Sequence, residues 1–444
     1  MKHFKKGLSR QTIIDISNDK KEPAWMLDIR LAAFEQFLKM PLPNFGPDLS
    51  SIDFDSISYY DSPLDSPASR WQDVPNNIKK TYDELGLPLA EQKYLAGLGA
   101  QYNSGVVYQR LRDQWTKQGV VFLDTDTGLQ QYPDLFRDYF GKLVPASDNK
   151  FAALNTAAWS GGSFIYVPPG VKLDIPLQAY FRINIANLGQ FERTLIIVDE
   201  GASLQYIEGC TAPIHSTNLL HSAVVEVFVK SDARMRYTTI QNWSTNVVNL
   251  TTERMIVDND AIGEWIDGNI GSAITMKYPS VILSGENAHG EILSLALAGQ
   301  GQNQDNGGKA IHLAPHTTSQ IISKSISRDS GVATFRGKIK ITDKAKNAKS
   351  STKCDALLMD GASVSNTYPL NDIATNDAQI AHEATVSDIN QTQLFYLMSR
   401  GLSEYEATAL LIGGFIEPIV RNLPMEYAVE LNRLIDMNME GAIG

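Results

Sequence analysis

The chain has 444 residues, 43% of them hydrophobic, with 39 lysines and arginines against 50 aspartates and glutamates. The resulting formal charge of −11 repels a phosphate backbone and argues against a nucleic acid partner. No apolar run reaches the roughly 20 residues that span a bilayer, and the start lacks the apolar core of a signal peptide, so we expect a cytoplasmic protein without a membrane partner.

The first 150 residues are predicted to form an N-terminal helical region. Its first helix, expected to end before Pro41, has an apolar stripe with a spacing of four residues. The stripe consists of Trp25, Ile29, Ala33 and Phe37. Residues 42–75 are rich in Pro, Ser and Asp and predict an extended, partly mobile linker. From residue 76 to about 142 the pattern, including AEQKYLAGLGAQY, favours helix again.

Residues 151–388 are predicted to form a β core made of repeats. An apolar pair, a turn, an alanine and an alternating run recur as IIVDEGASLQYIE, VFVKSDARMRYTT, MIVDNDAIGEWID and VILSGENAHGEIL. The turn alanines are Ala202, Ala233, Ala261 and Ala288, with a later copy at Ala362. This self-similarity, without intervening helices, favours a β-helix or solenoid. An antiparallel sandwich with similar hairpins is the alternative.

Residues 389–444 return to a helical period, and three helices are predicted. Ser403 and Glu406 fit a capping box at the start of the second helix. Leu411, Phe415 and Ile419 form its apolar stripe. This stripe either caps the solenoid or docks another subunit.

Known catalytic motifs are missing from the sequence. It contains neither a GxxxxGK[ST] phosphate loop nor a GxSxG nucleophile elbow, so any use of ATP requires a partner. Asp258, Asp260, Asp267 and Arg254 could be read as the acidic site of a β-solenoid polysaccharide lyase. Most of these acids fall at turns, where Asp is favoured for backbone reasons, which argues against that interpretation.

The candidates for metal chemistry are two cysteines and one histidine-glutamate pair. Cys354 begins CDALLMD, and His382 and Glu383 are adjacent in AHEATVSD; all three residue types can bind iron. Adjacent strand residues point to opposite faces, so this pair can share a site only at a bend or across an interface. Cys210 in YIEGCTAP is the second thiol, and a small buried hydrophobe is the alternative for each cysteine.

Several stretches together resemble the SufB family of scaffolds in the SUF machinery for iron-sulfur cluster assembly. They include YIEGCTAP, YTTIQNW, WIDGNIGSAITMKYPSVILSGENAHGE, CDALLMD, HEATVS and QLFYLMSRGLSEYEATALLIGGFIEP, and the likeness runs in order along nearly the whole chain. The resemblance implies a mainly β fold, a right-handed parallel β-helix with helical regions at both ends. It also implies a scaffold with no enzymatic turnover of its own.

The resemblance further implies a set of partners. These are the ABC-type ATPase SufC, docked on the C-terminal helices, and either the paralogue SufD or a second SufB copy. Sulfur would arrive as persulfide from a cysteine desulfurase with its SufE or SufU carrier, and a transient iron-sulfur cluster would form before transfer to acceptors. Some complexes of this family also bind reduced flavin. A structural SufD-like subunit without a cluster site is the alternative within the family.

By motif, the resemblance implies that Cys354, His382 and Glu383 are the ligands of the nascent cluster. Two positions depart from some relatives: Val257 replaces a cysteine thought to receive sulfur, and Ala381 replaces a glutamate before the histidine-glutamate pair. The sulfur acceptor is therefore open between Cys354 and Cys210.

Overall fold

The structure is a computed structural model that describes residues 2–3, 6–62, 68, 70–76, 78–80, 95–183, 188–212 and 219–423, and positions 428, 431, 433 and 435. Its helices are α1 Arg10–Asp19, α2 Ala24–Lys39, α3 Asp113–Thr116, α4 Thr125–Gln131, α5 Pro133–Tyr139, α6 Lys150–Ala158, α7 Gln391–Ser399 and α8 Glu404–Val420, with a 3-10 turn at Trp71–Asp73. Within these described ranges, every helix is too short or too polar to cross a lipid bilayer.

The strands carry most of the regular structure between residues 95 and 388. They are β1 Lys2–His3, β2 Asp61–Ser62, β3 Gly97–Tyr102, β4 Gly105–Leu111, β5 Val121–Asp124, β6 Ser163–Val167, β7 Leu177–Arg182, β8 Gly189–Gln190, β9 Arg193–Val198, β10 Ser203–Thr211, β11 Leu219–His221, β12 Val224–Val229, β13 Arg234–Trp243, β14 Val247–Val257, β15 Ile262–Gly271, β16 Ile274–Lys277, β17 Ser280–Leu283, β18 His289–Ala298, β19 Asn303–His312, β20 Thr318–Ser327, β21 Val332–Ile341, β22 Ala348–Leu358, β23 Val364–Ile373 and β24 Ala378–Asp388.

Strands β1 and β2 pair in a separate two-stranded sheet, and the other strands form two long sheets that face each other in a solenoid of about seven turns. From β18 onward successive strands alternate between the sheets, so each strand pairs in parallel with the strand two positions later in the chain. One sheet has ten strands and ends at β24; the other has twelve and ends at β23. The parallel register confirms the predicted solenoid and rules out the antiparallel sandwich.

Alternate side chains of each strand point into the solenoid lumen, where they form its main apolar core. The turn alanines at 202, 233, 261 and 288 are all buried and each precedes a strand of the ten-stranded sheet, so they stack on successive turns. The later copy at Ala362 differs from these four in the sheet to which its strand belongs. It precedes β23, which belongs to the twelve-stranded sheet, because the register pairs Val364 with Val332.

The N-terminal region packs against the outside of the twelve-stranded sheet. Helix α2 ends at Lys39, before Pro41 as predicted, and buries Ala33 and Phe37 of the predicted stripe. In the segment predicted as a linker, Leu49, Ile57 and Tyr59 are buried in the same outer core, so these parts pack on the protein.

The helix predicted over AEQKYLAGLGAQY is wrong in its described part. Residues Gly97–Tyr102 form β3, which pairs antiparallel with β4 and parallel with β7. Gly97 and Gly99 favour this close pairing, since a Cβ at Gly97 would lie 2.7 Å from the carbonyl oxygen of Arg110. Residues 90–94 of this stretch lie outside the described residues.

The C-terminal helices lie against the outer face of the ten-stranded sheet. Helix α8 begins with the predicted capping box, in which the Glu406 amide donates to Ser403 Oγ at 3.2 Å and the Ser403 amide donates to the Glu406 carboxylate at 2.8 Å. Ile412 and Ile416 bury their side chains in a cluster with Ile266 and Leu295 of the sheet. Of the third predicted helix, positions 428, 431, 433 and 435 are described and helical.

The last turn of the solenoid is open. β23 and β24 are the terminal strands of their sheets, and nearly all of their residues are partly or fully exposed. Tyr368, Leu370 and Val386 are each at least half exposed there. Within the described ranges, neither strand has a pairing partner on its outer edge, so this end presents free backbone donors and acceptors.

Candidate metal centre at the open end of the solenoid

Cys354 lies on β22, one strand from the open end. Its side chain points into the lumen and is 6% exposed, beside a free edge rather than deep in the core. Burial raises the pKa of the thiol, while a hydrogen bond from Thr367 of β23 lowers it and Asp355 raises it slightly. The thiol is therefore protonated at neutral pH until a base or a metal ion takes its proton.

His382 lies beside this thiol. It lies on β24, where the register places it opposite Thr352, and its side chain faces the lumen as Cys354 does. Cys354 Sγ lies 3.8 Å from His382 Nε2 and 3.6 Å from the backbone oxygen of Glu383. A thiol and an imidazole at this separation can share a proton or take the same metal ion.

Glu383 lies on the opposite face of β24. Its carboxylate is 3.3 Å from Lys353 Nζ, and both side chains are about half exposed or more. The alternation of strand residues expected from the sequence is therefore confirmed. The structure brings Cys354 and His382 together and directs the Glu383 carboxylate away from them.

The donor set within the described chain is incomplete for a cluster. Among the described residues, we find no group of three or more His, Cys, Asp or Glu side chains that could hold a metal ion. Cys354 and His382 provide two donors, one soft and one borderline, next to an unpaired strand edge. This arrangement leaves coordination positions open to donors from outside the chain.

Cys210 lies far from this pair. It is on β10, five strands from β22 in the ten-stranded sheet, which corresponds to about 24 Å along the solenoid axis. Its thiol is 1% exposed and lies 3.7 Å from Glu208 Oε1. Burial raises the pKa of this thiol well above its usual range, and the carboxylates of Glu208 and Glu192 raise it further. These surroundings disfavour a thiolate and fit the alternative of a buried structural thiol.

The two positions at which the resemblance implies a departure from some relatives have different surroundings. Val257 is fully buried in the lumen core, where its side chain packs among apolar neighbours. Ala381 is exposed on β24 and lies on the same outward face as Glu383, because the two residues are two apart on one strand.

A buried ion-pair group in the lumen was missed by the sequence analysis. Lys277 Nζ lies 2.8 Å from Asp267 Oδ1 and 3.0 Å from Glu253 Oε1, and all three side chains are almost completely buried. Burial raises the pKa of Glu253 to about 7, an effect that Lys277 opposes and Asp267 reinforces. The alternation of strand residues could have identified Glu253 as a lumen residue, since it lies two and four positions before Met255 and Val257, which both point into the lumen.

The residues of the lyase interpretation do not form one site. Asp267 points into the lumen with Lys277, whereas Arg254 points outward and binds Asp148 at 2.9 Å. Asp258 and Asp260 lie in the turn after β14 and make hydrogen bonds to turn residues. These four residues therefore do not form an acidic cleavage site around Arg254.

The residues predicted to bind a partner differ in exposure. Ile419 is buried against the sheet, whereas Leu411 and Phe415 are partly exposed, and the Lys324 ammonium lies over the Phe415 ring at 4.4 Å. The outward surface of α7 and α8 carries Phe395, 73% exposed, and Leu410, 58% exposed. Docking by this region stays a prediction.

Comparisons with known proteins agree with this architecture. Residues 181–415 match the family described as "SUF system FeS cluster assembly, SufBD core domain", and residues 98–179 match "SufBD protein N-terminal region". The chain is 57% identical to "Iron-sulfur cluster assembly protein SufB" of Bacillus subtilis over 439 residues, 99% of this chain and 94% of that protein. It is 56% identical, over the same shares, to iron-sulfur cluster assembly SufBD family proteins of Staphylococcus epidermidis and Staphylococcus aureus.

Proposed function

This chain belongs to the SufBD family of iron-sulfur cluster assembly proteins, and on that premise we propose that it is the scaffold on which nascent clusters form. Iron and persulfide sulfur are the substrates, and the finished cluster passes to acceptor proteins. The observation that carries the proposal is the Cys354–His382 pair at the open end of the solenoid. Glu383 joins these ligands when the strand end rearranges or a second subunit completes the site.

The sulfur step uses Cys354 as the acceptor. His382 takes the thiol proton, and the Cys354 thiolate attacks the sulfane sulfur of a persulfide on the carrier protein. The bond between the two carrier sulfurs breaks, and the carrier cysteine leaves as a thiolate. Cys210 remains a structural thiol, because its burial beside carboxylates disfavours the thiolate that this attack needs.

Reduction of the transferred sulfur to sulfide requires two electrons. Reduced flavin bound through the complex is our proposed source, and this part rests on the family resemblance alone. Ligation by a thiolate with an imidazole, instead of by four thiolates, holds the cluster less firmly. Such a site suits a cluster that must leave.

We assign the partners to two surfaces. The free edges of β23 and β24, with exposed Tyr368, Leu370 and Val386, suit a second SufBD-type subunit whose own solenoid end is open. The outward surface of α7 and α8, with Phe395 and Leu410, suits the SufC ATPase. Nucleotide-driven closure of two ATPase subunits then pulls on these helices and opens the edge beside Cys354.

The alternative is a structural SufD-like subunit that holds no cluster. Anaerobic reconstitution of the purified complex with iron and sulfide, followed by visible absorption and iron analysis, separates the two. We expect Cys354→Ser to lose the cluster and Cys210→Ser to keep it. A Cys354→Ser complex that holds as much iron and sulfide as wild type would contradict the scaffold site and favour the structural subunit.

A further inference from the structure

A cleft lies on the outside of the twelve-stranded sheet, away from the metal centre. It has a volume of about 630 Å³ and lies between the segment from Met40 to Phe45 and the outward side chains of β14, β16 and β19. Clefts of this size at the junction of two structural regions are a common place for small-molecule sites.

The walls of the cleft are largely apolar, and Lys150, which also lines the cleft, holds the covering segment in place by hydrogen bonds. Leu250 and Met276 come from the sheet, and Leu42 and Phe45 come from the covering segment. The Lys150 ammonium donates to the backbone oxygens of Phe37 and Met40, each at 2.7 Å, and so fixes the start of the covering segment. The wall is therefore preformed for an apolar ligand body.

Lys309, on the sheet side of this cleft, makes no ion pair within the described residues, although the Asp148 carboxylate also lines the cleft. Lys309 lies among these apolar residues with its ammonium 5.1 Å from the centre of the Tyr278 ring. In the described part of the chain, no carboxylate lies within ion-pair distance of Lys309 Nζ. By contrast, Arg254, which also lines the cleft, is paired with Asp148.

The neighbouring strand adds a second positive charge. The register pairs Lys309 of β19 with Lys338 of β21 on the same outward face, one strand spacing of about 4.8 Å apart. Like charges in directly opposed positions destabilise a sheet. Burial lowers the pKa of the Lys309 ammonium, and the charges of Arg254 and Lys338 lower it further, whereas the carboxylate of Asp148 raises it. An anion bound at Lys309 would relieve this repulsion.

We propose that this cleft binds a small organic anion, with its apolar body against Leu250 and Met276 and its anionic group on Lys309. The apolar lining selects an aromatic or aliphatic body, and the unpaired ammonium selects a carboxylate, phosphate or sulfonate group. The site is independent of the Cys354–His382 pair and does not rest on the scaffold function.

A matched pair of fluorescent probes tests the proposal on the full-length chain. Anilinonaphthalene sulfonate carries the anionic group, and N-phenyl-1-naphthylamine has the same rings without it. Both are titrated into wild type, Lys309→Met, Lys309→Arg and the cleft-filling variant Thr252→Trp. Lys340→Met is the control, because Lys340 lies outside the cleft lining and pairs loosely with Asp372 at 3.9 Å.

We expect saturable binding of one sulfonate probe to wild type, weakened about tenfold in Lys309→Met, which corresponds to about 1.4 kcal/mol. Lys309→Arg and Lys340→Met should bind it like wild type, and the neutral probe should not distinguish Lys309→Met from wild type. Thr252→Trp should lose both probes at this site.

Three results of the probe titrations would overturn the proposal. They are equal sulfonate affinity in wild type and Lys309→Met, an equal loss in Lys340→Met, or unchanged binding of both probes in Thr252→Trp. Competition with decanoate and with phenyl phosphate then distinguishes a carboxylate from a phosphate ligand. Failure of both to displace the sulfonate probe would also contradict the site.

Discussion

Replacing Lys277 with methionine removes the only cation that contacts two buried carboxylates in the described lumen. Lys277 Nζ lies 2.8 Å from Asp267 and 3.0 Å from Glu253, and all three side chains are buried. At an effective dielectric constant of about 20, a charge pair at 2.8 Å is worth about 6 kcal/mol before desolvation is counted. Removing one partner of a buried pair typically costs about 3 to 5 kcal/mol.

This cost translates into a measurable change in thermal stability. An unfolding entropy of about 2.1 cal/mol/K per residue gives about 0.9 kcal/mol/K for 444 residues. We therefore expect Lys277→Met to lower the Tm at pH 8 by about 3 to 5 °C, measured by circular dichroism. The control is the triple variant Lys277→Met, Asp267→Asn, Glu253→Gln, which buries no charge and should recover most of the loss.

The destabilisation caused by the single substitution Lys277→Met should depend on pH. The pKa of Glu253 is raised to about 7, so this carboxyl takes up a proton between pH 8 and pH 5.5, and the folded state then buries one negative charge fewer. Lys277→Met should therefore be less destabilising at pH 5.5 than at pH 8. A Tm change under 1 °C at pH 8, or the same change at both pH values, would refute the reasoning.

Three further predictions follow from buried and exposed side chains. Ile416→Ala, at a fully buried position of α8, should lower the free energy of unfolding by about 2 to 5 kcal/mol, measured by thermal unfolding. Leu410→Ser, at an exposed position of the same helix, should leave the Tm unchanged but weaken co-purification of the ATPase. Unchanged co-purification would contradict docking on this surface. Burial lowers the pKa of His312 to about 4, so stability should fall by about 3 kcal/mol as pH falls from 6.5 through 4; His312→Gln should flatten that dependence. Cys210→Ala should retain the cluster after anaerobic reconstitution with iron and sulfide, and its loss would contradict a purely structural role for the Cys210 thiol.

The repeat architecture could be predicted from sequence because the lumen imposes the same local chemistry on every turn. A small, buried side chain precedes four successive strands of the ten-stranded sheet, at Ala202, Ala233, Ala261 and Ala288. The sheet to which each copy belongs could not be deduced in this way. Ala362 precedes a strand of the other sheet, and only the pairing of Val364 with Val332 reveals it.

The candidate metal centre was predictable in part. The opposite directions of His382 and Glu383 follow from strand alternation. The contact between Cys354 and His382, 28 residues apart, depends on the strand register, which the sequence pattern does not specify. The lumen ion pairs were missed because a lysine or glutamate in an alternating strand normally indicates the solvent face. Here one buried lysine instead pairs with two buried carboxylates.

The most direct test of the account is whether His382 binds the cluster. The complex is prepared with ¹⁵N-labelled histidine, reconstituted anaerobically, reduced, and studied by pulsed electron paramagnetic resonance. We predict a ¹⁵N coupling from a histidine ligand in wild type that disappears in His382→Gln, and a cluster that fails to form in Cys354→Ser. A coupling that persists in His382→Gln, or a wild-type cluster without any histidine coupling, would contradict the site at the open end of the solenoid.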